Sequence, residues 1–402
     1  MAESPGFASH QTHPPSGPSS LKELTLLFLR LGATAFGGPA AHIAMMDDEV
    51  VHRRRWLSRE QFLDLLGATN LIPGPNSTEM AIHIGYLRAG WAGLLVAGTC
   101  FILPATVIVT TIAWAYVKFG SLPQTAGILY AVKPIVIAVI LQALWRFGRA
   151  ALKTKLLAVI GIISVVSVSM GVNELLVLFC AGVIAAVARW IIAHWKGSIP
   201  STLALIGTAP LISLPTFATA TGTAVSLNLS LLFLFFLKVG SVLFGSGYVL
   251  LAFLRADLVE RWHWMTEGQL LDAVAIGQMT PGPVFTTATF VGYVLGGLPG
   301  AAVATIGIFL PSFVFVAISG RLVPHIRRSP TAGAALDGVN IASLALMAVV
   351  TWQLGAAAVV DVTTIALLSL SLVLLIRFRL NSAWLILGGA LASLALFVLG
   401  RH

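Results

Sequence analysis

Charged residues are scarce in this sequence: only 10% of its 402 residues are Asp, Glu, Lys or Arg, whereas 57% are hydrophobic. A soluble chain of this length would carry far more charge, so the composition argues against a water-soluble globular protein. Apolar runs of about 20 residues, the length needed to cross a bilayer, recur from Leu21 to the C-terminus. The composition therefore indicates an all-α polytopic membrane protein surrounded by a lipid bilayer.

Cysteine and enzyme motifs are also lacking. The two cysteines, Cys100 and Cys180, lie in apolar segments, which is typical of buried small residues rather than of a disulfide or a metal pair. The chain has no G-x-x-x-x-G-K-[ST], no H-E-x-x-H and no G-x-S-x-G, so neither a nucleotide-driven pump nor a hydrolase is indicated. We expect no catalytic residue, metal site or cofactor. The net charge of +9 sits mainly in short loops, so no nucleic-acid partner is expected either.

The sequence contains an internal repeat. At a shift of 208 residues the matches include Gly32 with Gly240, Phe36 with Phe244, Arg53 with Arg261, Trp56 with Trp264, and Pro73-Gly74-Pro75 with Pro281-Gly282-Pro283. After a slip of one residue, Tyr86, Pro104, Trp145 and Gly148 match Tyr293, Pro311, Trp352 and Gly355. These matches divide the chain into a disordered cytoplasmic tail (1–20), a first repeat (21–195), a linker with one spanning segment (196–228) and a second repeat (229–402).

Each repeat is interrupted by a Pro-Gly-Pro turn, at residues 73–75 and 281–283. Proline lacks an N–H group and restricts the residue before it, so the turn ends one helix and begins the next. Residues 60–72 and 76–88 are then two short helices that each reach only half-way across a bilayer. Four apolar runs long enough to span follow in each repeat. Whether residues 21–88 and 229–295 span or re-enter is left open.

Loop charges predict that the two repeats have opposite orientations. The loop after residue 145 carries Arg146, Arg149 and two lysines, whereas its counterpart at 354–361 carries only Asp361. The same reversal occurs at the two other comparable loops, and basic loops face the cytoplasm. We therefore predict inverted-topology repeats joined by one linker crossing, with the N-terminus cytoplasmic and the C-terminus periplasmic. Inverted repeats with broken helices are characteristic of secondary transporters.

Two cations and two runs of small residues precede the turns. Arg30 and Lys238 hold equivalent positions inside apolar segments, where a cation is costly unless it is paired or faces water. We predict that they converge on an anion; the alternative is that each extends to the lipid headgroups. The small-residue runs supply the candidate binding residues Gly37, Gly38, Gly245 and Ser246. Such residues allow close backbone approach, or simply tight helix packing.

The turns and the residues after them supply the other predicted contacts to substrate. These are Gly74, Asn76, Ser77, Thr78, Gly282, Thr286 and Thr287. A helix start offers free N–H groups and a positive dipole end, which together with hydroxyls and an amide suit a small oxyanion. Ordinary helix capping by Ser and Thr is the alternative.

Three acidic residues are candidates for proton coupling. Glu79 lies one turn into the helix after the first Pro-Gly-Pro, where Thr287 takes its place in the second repeat. Asp64 and Asp272 match each other, nine residues before each turn. Proton binding by an intramembrane carboxyl is one interpretation. The other is an ion pair, for example of Glu79 with His83 or Arg30.

At these residues the chain resembles the chromate ion transporter family. The resemblance is carried by Phe36-Gly37-Gly38-Pro39 and Ile72-Pro73-Gly74-Pro75-Asn76, and by the related Phe244-Gly245-Ser246-Gly247 and Thr280-Pro281-Gly282-Pro283. It covers residues 20 to 400 and specifically the long, two-domain bacterial members. The second repeat departs from the first at Ser246-Gly247 and at Val284, which indicates that the two turns contribute unequally to one ligand.

The resemblance implies a bacterial inner-membrane protein that exports chromate, draws on the proton-motive force and confers chromate resistance. The partners it implies are chromate, protons and sulfate, another tetrahedral dianion. A transporter of sulfate or another oxyanion and a passive oxyanion channel are the alternatives, and an intramembrane enzyme is a more distant one. The oligomeric state, including a homodimer, is left open.

Overall fold

The protein is built from α-helices. The computed structural model describes residues 20–36, 38–120, 123–194, 227–243, 249–327, 329–378, 380 and 382–398, and these contain no β-strand, as the all-α prediction requires. The first repeat contains α1 (Leu21–Thr34), α2 (Gly38–Asp47), α3 (Arg59–Thr69), α4 (Asn76–Phe119), α5 (Pro123–Ala151), α6 (Lys155–Ser169) and α7 (Glu174–His194). The second contains α8 (Leu229–Val242), α9 (Leu250–Phe253), α10 (Glu267–Met279), α11 (Thr287–Arg327), α12 (Pro330–Ala358), α13 (Val362–Arg377) and α14 (Ser382–Val398). The predicted tail up to residue 19 and the linker residues 195–226 lie outside the described residues.

Equivalent sequence signals form equivalent elements in the two repeats. Ser58 and Thr266 accept a hydrogen bond from the backbone of Gln61 and Gln269, and each glutamine side chain bonds back to the cap residue. These reciprocal caps satisfy the first amides of α3 and α10, which lead into the two Pro-Gly-Pro turns. A π-helical segment, Asp48–Arg53 or Leu254–Arg261, precedes each cap.

The longest helices, α4 and α11, are each folded back on themselves. Ala89–Gly90 and Gly296–Gly297 leave helical geometry, with φ of 57° at Gly90 and 59° at Gly297. A Cβ on Gly85 would lie only 2.2 Å from the carbonyl oxygen of Gly93, so the two arms of α4 lie side by side. The short arm of α4 is therefore residues 76–88 and the long arm 91–119, which confirms the predicted half-length helix after the turn.

The segments before each long arm enter and leave the helix bundle at the same end. In the first repeat, Glu23 pairs with Arg54, and the guanidinium groups of Arg54 and Arg88 both lie over the Trp56 ring. In the second repeat, a Cβ on Gly296 would lie 3.2 Å from Leu229. The start of each segment is thus near its end.

Helices of each repeat pack against helices of the other repeat. Helix α5 packs against α13 and α14, while its equivalent α12 packs against α6 and α7. Lys153, just beyond α5, pairs with Asp337 near the start of α12 at 2.7 Å, and Tyr130 near the start of α5 donates to Asp361 just beyond α12. Equivalent helices α5 and α12 therefore run antiparallel.

Five of the described helices are long and apolar enough to cross a membrane: Asn76–Phe119, Gly127–Ala151, Glu174–Ile192, Val284–Ser319 and Pro330–Ala358. Together with their composition, this marks an integral membrane protein. Helices α6, α13 and α14 have only 15, 16 and 17 residues, shorter than the spans expected from the sequence. Helix α6 starts only at its Thr154 cap and ends before Gly171, whose φ is +79°.

Candidate functional site

Each Pro-Gly-Pro turn is tied to the opposite repeat. The N–H of Gly74 donates to the carbonyl oxygen of Leu243 at 2.7 Å, and the N–H of Gly282 donates to that of Ala35 at 2.9 Å. Leu243 and Ala35 follow α8 and α1, the first helices of the two repeats. The two helix breaks therefore lie at the interface between the repeats, where a movement of one repeat against the other acts on both.

Both turns require glycine. Gly74 and Gly282 have φ of 139° and 87°, values that L side chains rarely adopt. A Cβ on Gly74 would lie 2.2 Å from Glu79 Oε1 and 2.7 Å from Ser312 Oγ, and one on Gly282 would lie 2.6 Å from Ala105 Cβ. The backbone of the first turn thus contacts a carboxyl group and a hydroxyl group, whereas the second meets a methyl group.

Glu79 is a buried acidic residue beside the first turn. Its side chain is 0% exposed, and both carboxyl oxygens are buried without a hydrogen-bond partner among the described residues. The hydroxyls of Thr78 and Ser312 are likewise buried and unpartnered there. A bare carboxylate in an apolar interior is very costly unless an ion, a proton or a donor neutralises it. This cluster is therefore a candidate for binding a proton, a cation or a hydrogen-bond donor.

The predicted ion pairs of Glu79 do not occur. Arg30 pairs with Glu49 instead, and His83 Nε2 lies 3.4 Å from Ser319 Oγ on the long arm of α11. His42, on α2, contacts the carbonyl oxygen of Ala35 at 3.0 Å. Both histidines are buried, so each belongs to the packed interior.

Arg30 and Lys238 are each paired with a carboxylate of their own repeat. Arg30 lies 3.4 Å from Glu49, and Lys238 lies 2.7 Å from Asp257. The same carboxylates also bind the arginine one turn further on, in the triads Arg30–Glu49–Arg53 and Lys238–Asp257–Arg261, and Glu49 additionally binds Arg54 at 3.3 Å. The Arg30 side chain is 62% exposed, which also fits the alternative that it extends to the headgroups. The convergence of both cations on one anion stays a prediction.

The polar residues after the turns differ in how they are used. Asn76 Nδ2 donates to Asn70 at 2.6 Å, whereas Ser77 and Thr78 are buried. The amides of Thr78 and Glu79 bind the carbonyl of Pro75, so the first two amides of α4 are helix-start donors without a partner among the described residues.

In the second repeat, the hydroxyls of Thr286 and Thr287 donate to the carbonyls of Pro283 and Val284. Both hydroxyls are thus used within their own turn, as donors to carbonyls and not as acceptors from backbone N–H groups, which helix capping would require. Gly38, with a φ of +76°, starts α2 with open space around it. The remaining predicted contacts, Gly37, Gly245 and Ser246, lie outside the described residues.

Asp64 and Asp272 have opposite surroundings despite their equivalent positions. Asp64 is exposed, while Asp272 is 3% exposed. Tyr116 donates to Asp272 Oδ2 at 2.9 Å, and Lys133 Nζ lies 3.4 Å from Oδ1. These groups line a cavity of about 390 Å³.

Sequence reasoning missed Glu49, Asp257, Ser312, Lys133 and Tyr116. The first two match each other at the same shift of 208 residues, and that match would have revealed them. The other three have no equivalent of the same type, because Ala105, Asn340 and Val323 stand in their places.

Comparison with known proteins identifies relatives along nearly the whole chain. A family model described as chromate transporter matches residues 22–187 and again 230–394. A chromate transport protein of Cupriavidus metallidurans is 31% identical over 388 residues, 95% of both chains. One of Pseudomonas aeruginosa is 33% identical over 86% of this chain and 83% of its own length, and a probable one of Synechococcus elongatus is 32% identical over 86% and 87%. No solved structure matches.

Proposed function

Because the chain belongs to the chromate transporter family, we propose that it is a secondary transporter that carries chromate out of the cytoplasm of a bacterium, across the inner membrane. The observation that carries the mechanism is the pair of helix breaks at Gly74 and Gly282, each hydrogen-bonded to the opposite repeat. Rocking one repeat against the other would then change access to both breaks together.

The proposed topology follows from the antiparallel α5 and α12. If α5 begins outside and ends inside, α12 begins inside and ends outside, and the repeats are inverted. The basic loop at 146–155 places the end of α5 in the cytoplasm. In this orientation the N-terminus is cytoplasmic and the C-terminus is periplasmic.

The anion is proposed to bind at the start of α4. The free amides of Asn76 and Ser77, the Thr78 and Ser312 hydroxyls and the helix dipole offer donors to a tetrahedral oxyanion. We propose that Arg30 and Lys238 leave their carboxylate partners and bind the dianion. Sulfate has the same charge and shape, so we expect it to compete with chromate.

Proton coupling is assigned to Glu79. It is fully buried beside Gly74, whereas Asp64 is exposed and Asp272 is engaged with Lys133 and Tyr116. A carboxyl group that binds a proton in one state and releases it in the other links anion movement to the proton-motive force. Export coupled in this way would confer chromate resistance.

The test is chromate uptake into everted membrane vesicles under an imposed pH gradient, with and without a protonophore. Gradient-dependent accumulation that sulfate reduces and the protonophore abolishes is expected. Uptake that only equilibrates and ignores the protonophore would instead identify a passive channel. The absence of oxyanion uptake in either condition would refute the proposal.

The cation assignment has its own test. Arg30→Ala is expected to abolish chromate resistance while the protein still inserts into the membrane, and Arg30→Lys should retain part of it because the charge remains. Full resistance in the Arg30→Ala strain, with normal protein levels, would remove Arg30 from the anion path.

A further inference from the structure

The cavity beside Asp272 is lined by polar and charged side chains that do not belong to the two Pro-Gly-Pro turns. Its lining residues are Tyr116, Gly120, Leu129, Tyr130, Lys133, Asp272, Ala357, Ala358 and Val360. Gly120 ends α4, Tyr130 is near the start of α5 and Val360 follows α12, so the cavity lies toward one end of the bundle. Its volume of about 390 Å³ leaves room for a small oxyanion.

Lys133 is the cation of this cavity. It is the only Lys or Arg of α5 before Arg146, and its side chain keeps a quarter of its surface exposed. A Cβ on Gly268 would lie 3.5 Å from Lys133 Nζ, so the ammonium group lies along the first turns of α10, between Gly268 and Asp272. A Cβ at position 268 would make an ordinary van der Waals contact with this ammonium group.

The contact between Lys133 and Asp272 is loose. Their charged atoms are 3.4 Å apart, longer than the ~2.7–2.9 Å of a charge-assisted hydrogen bond. Asp272 Oδ1 makes no hydrogen bond among the described residues, while Oδ2 is held by Tyr116. The carboxylate is therefore fixed from the side of Tyr116, and the ammonium retains donors for another ligand.

The other charged and titratable groups around the cavity are few. Tyr130 lies in its wall and donates to Asp361. Helix α14, which packs against α10, has no charged residue between 382 and 398. The first turn of α10 carries Glu267, which is paired with Arg255. Lys133 is thus the cation among the residues that line this cavity, while Lys118, near the end of α4, lies over the rings of Trp114 and Phe119.

We infer that Lys133 binds the transported oxyanion in this cavity as a second station, and that Asp272 competes with the oxyanion for the ammonium group. The inference rests on the proposed oxyanion transport. A transported ion must bind weakly enough to leave, and a carboxylate beside the binding cation limits its affinity. Asn340 and Val323 replace Lys133 and Tyr116 in the other repeat, so the station serves one side of the membrane only. In the orientation proposed above this is the outer side, where an exporter releases its substrate.

The decisive experiment measures how fast a small amine-reactive reagent labels Lys133 in the purified full-length protein. Sulfate or chromate is added, with chloride keeping the ionic strength constant. Labelling is read by peptide mass spectrometry, and Lys153, at the other end of α5, is the matched control. Both oxyanions should slow labelling of Lys133 and leave Lys153 unchanged.

The variant Asp272→Asn separates competition from a structural ion pair. It retains an acceptor for Tyr116 but removes the charge, so half-protection of Lys133 should need about tenfold less oxyanion. A merely structural pair predicts equal or weaker protection in this variant. The wild-type measurement stands by itself if the variant does not fold.

Equilibrium dialysis of sulfate on the same samples distinguishes the two failures. Bound sulfate without protection of Lys133 overturns this inference and leaves the proposed function standing. The absence of bound oxyanion, together with no uptake in vesicles, overturns the proposed function and with it the second station.

Discussion

The first and second Pro-Gly-Pro turns share two backbone features but have different neighbours. Both contain a glycine with positive φ, and both donate a hydrogen bond to the residue that follows the first helix of the opposite repeat. The first turn faces Glu79 and Ser312, whereas at the equivalent positions the second has Thr287 and Ala105. Both repeats therefore keep the turn, while Glu79 gives an ionisable group to the first turn only.

This difference teaches that symmetry of fold does not imply symmetry of chemistry. The hydroxyls of Thr286 and Thr287 are used within their own turn, so the second break is satisfied locally. The first break keeps unpartnered polar atoms at Glu79, Thr78 and Ser312 among the described residues. The first turn is thus the candidate for ligand chemistry, and the second is the candidate for mechanical support.

The largest expected effect comes from exchanging the groups that distinguish the turns. Glu79→Gln should reduce proton-driven chromate uptake in everted vesicles to background. Glutamine matches the size of glutamate but cannot bind and release a proton. Thr287→Val, the matched change in the second repeat, should keep most of the uptake. Equal losses in the two variants, at equal protein levels, would mean that the turns do not differ as described.

Substitutions of the two turn glycines should have different effects on stability and on transport. In Gly282→Ala the new methyl group meets Ala105 and the backbone of Gly32, so we expect a loss of about 1–3 kcal/mol in stability. In Gly74→Ala it meets the end of the flexible Glu79 side chain, so transport should fall more than stability.

The control for both glycine variants is Gly90→Ala, which adds only backbone strain because open space surrounds that residue, and should cost about 1 kcal/mol. Thermal unfolding in detergent and vesicle uptake measure the two effects. Identical behaviour of Gly74→Ala and Gly282→Ala in both assays would contradict the distinction.

The ion triads give a smaller difference between the repeats. Asp257 is 2% exposed and joins Lys238 to Arg261. Glu49 is 7% exposed, and of its partners Arg30, Arg53 and Arg54 the first two are largely solvated. Asp257→Asn should lower stability by about 1–3 kcal/mol and Glu49→Gln by less, because the loss grows with burial of the charge. The measurement is denaturant-induced unfolding of each variant in detergent, and a larger loss for Glu49→Gln would reverse the predicted order.

The smallest expected effect is at the end contact between the repeats. Asp361 caps α13 outside the membrane-spanning segments, and hydrogen bonds from Tyr130 and from the Thr364 backbone lower the pKa of its carboxyl group. A lowered carboxyl pKa contributes stability above the ordinary carboxyl range, and this stability is lost as the pH falls through the lowered value.

Asp361→Asn should therefore be slightly less stable than wild type at neutral pH, and the difference should vanish in acid. Thermal unfolding measured between neutral and acid pH tests this, with Asp337→Asn, at the equivalent contact with Lys153 at the other end, as its matched control. A difference that persists unchanged in acid would show that the Asp361 charge is not its source.

Part of the candidate site could be predicted because local sequence controls it. Proline and glycine determine where the helices break, so the turns and the short arm after the first turn followed from residues 72–88 alone. The partners of Arg30 and Glu79 could not be predicted in this way, because a charged side chain reaches any of several helices. Glu49 lies 19 residues from Arg30, and Ser312 lies 233 residues from Glu79.

The sequence by itself determined the membrane class, the all-α content, the duplication, the two helix breaks and the family. Each depends on composition, on a local backbone constraint or on residue identity, and none needs a partner distant in the chain. Only the tertiary structure decided that each turn is held by the other repeat, that Glu79 is buried without a partner and that Lys133 meets Asp272. These contacts arise because helices of one repeat pack against helices of the other. Helix packing brings together residues that no local sequence pattern connects.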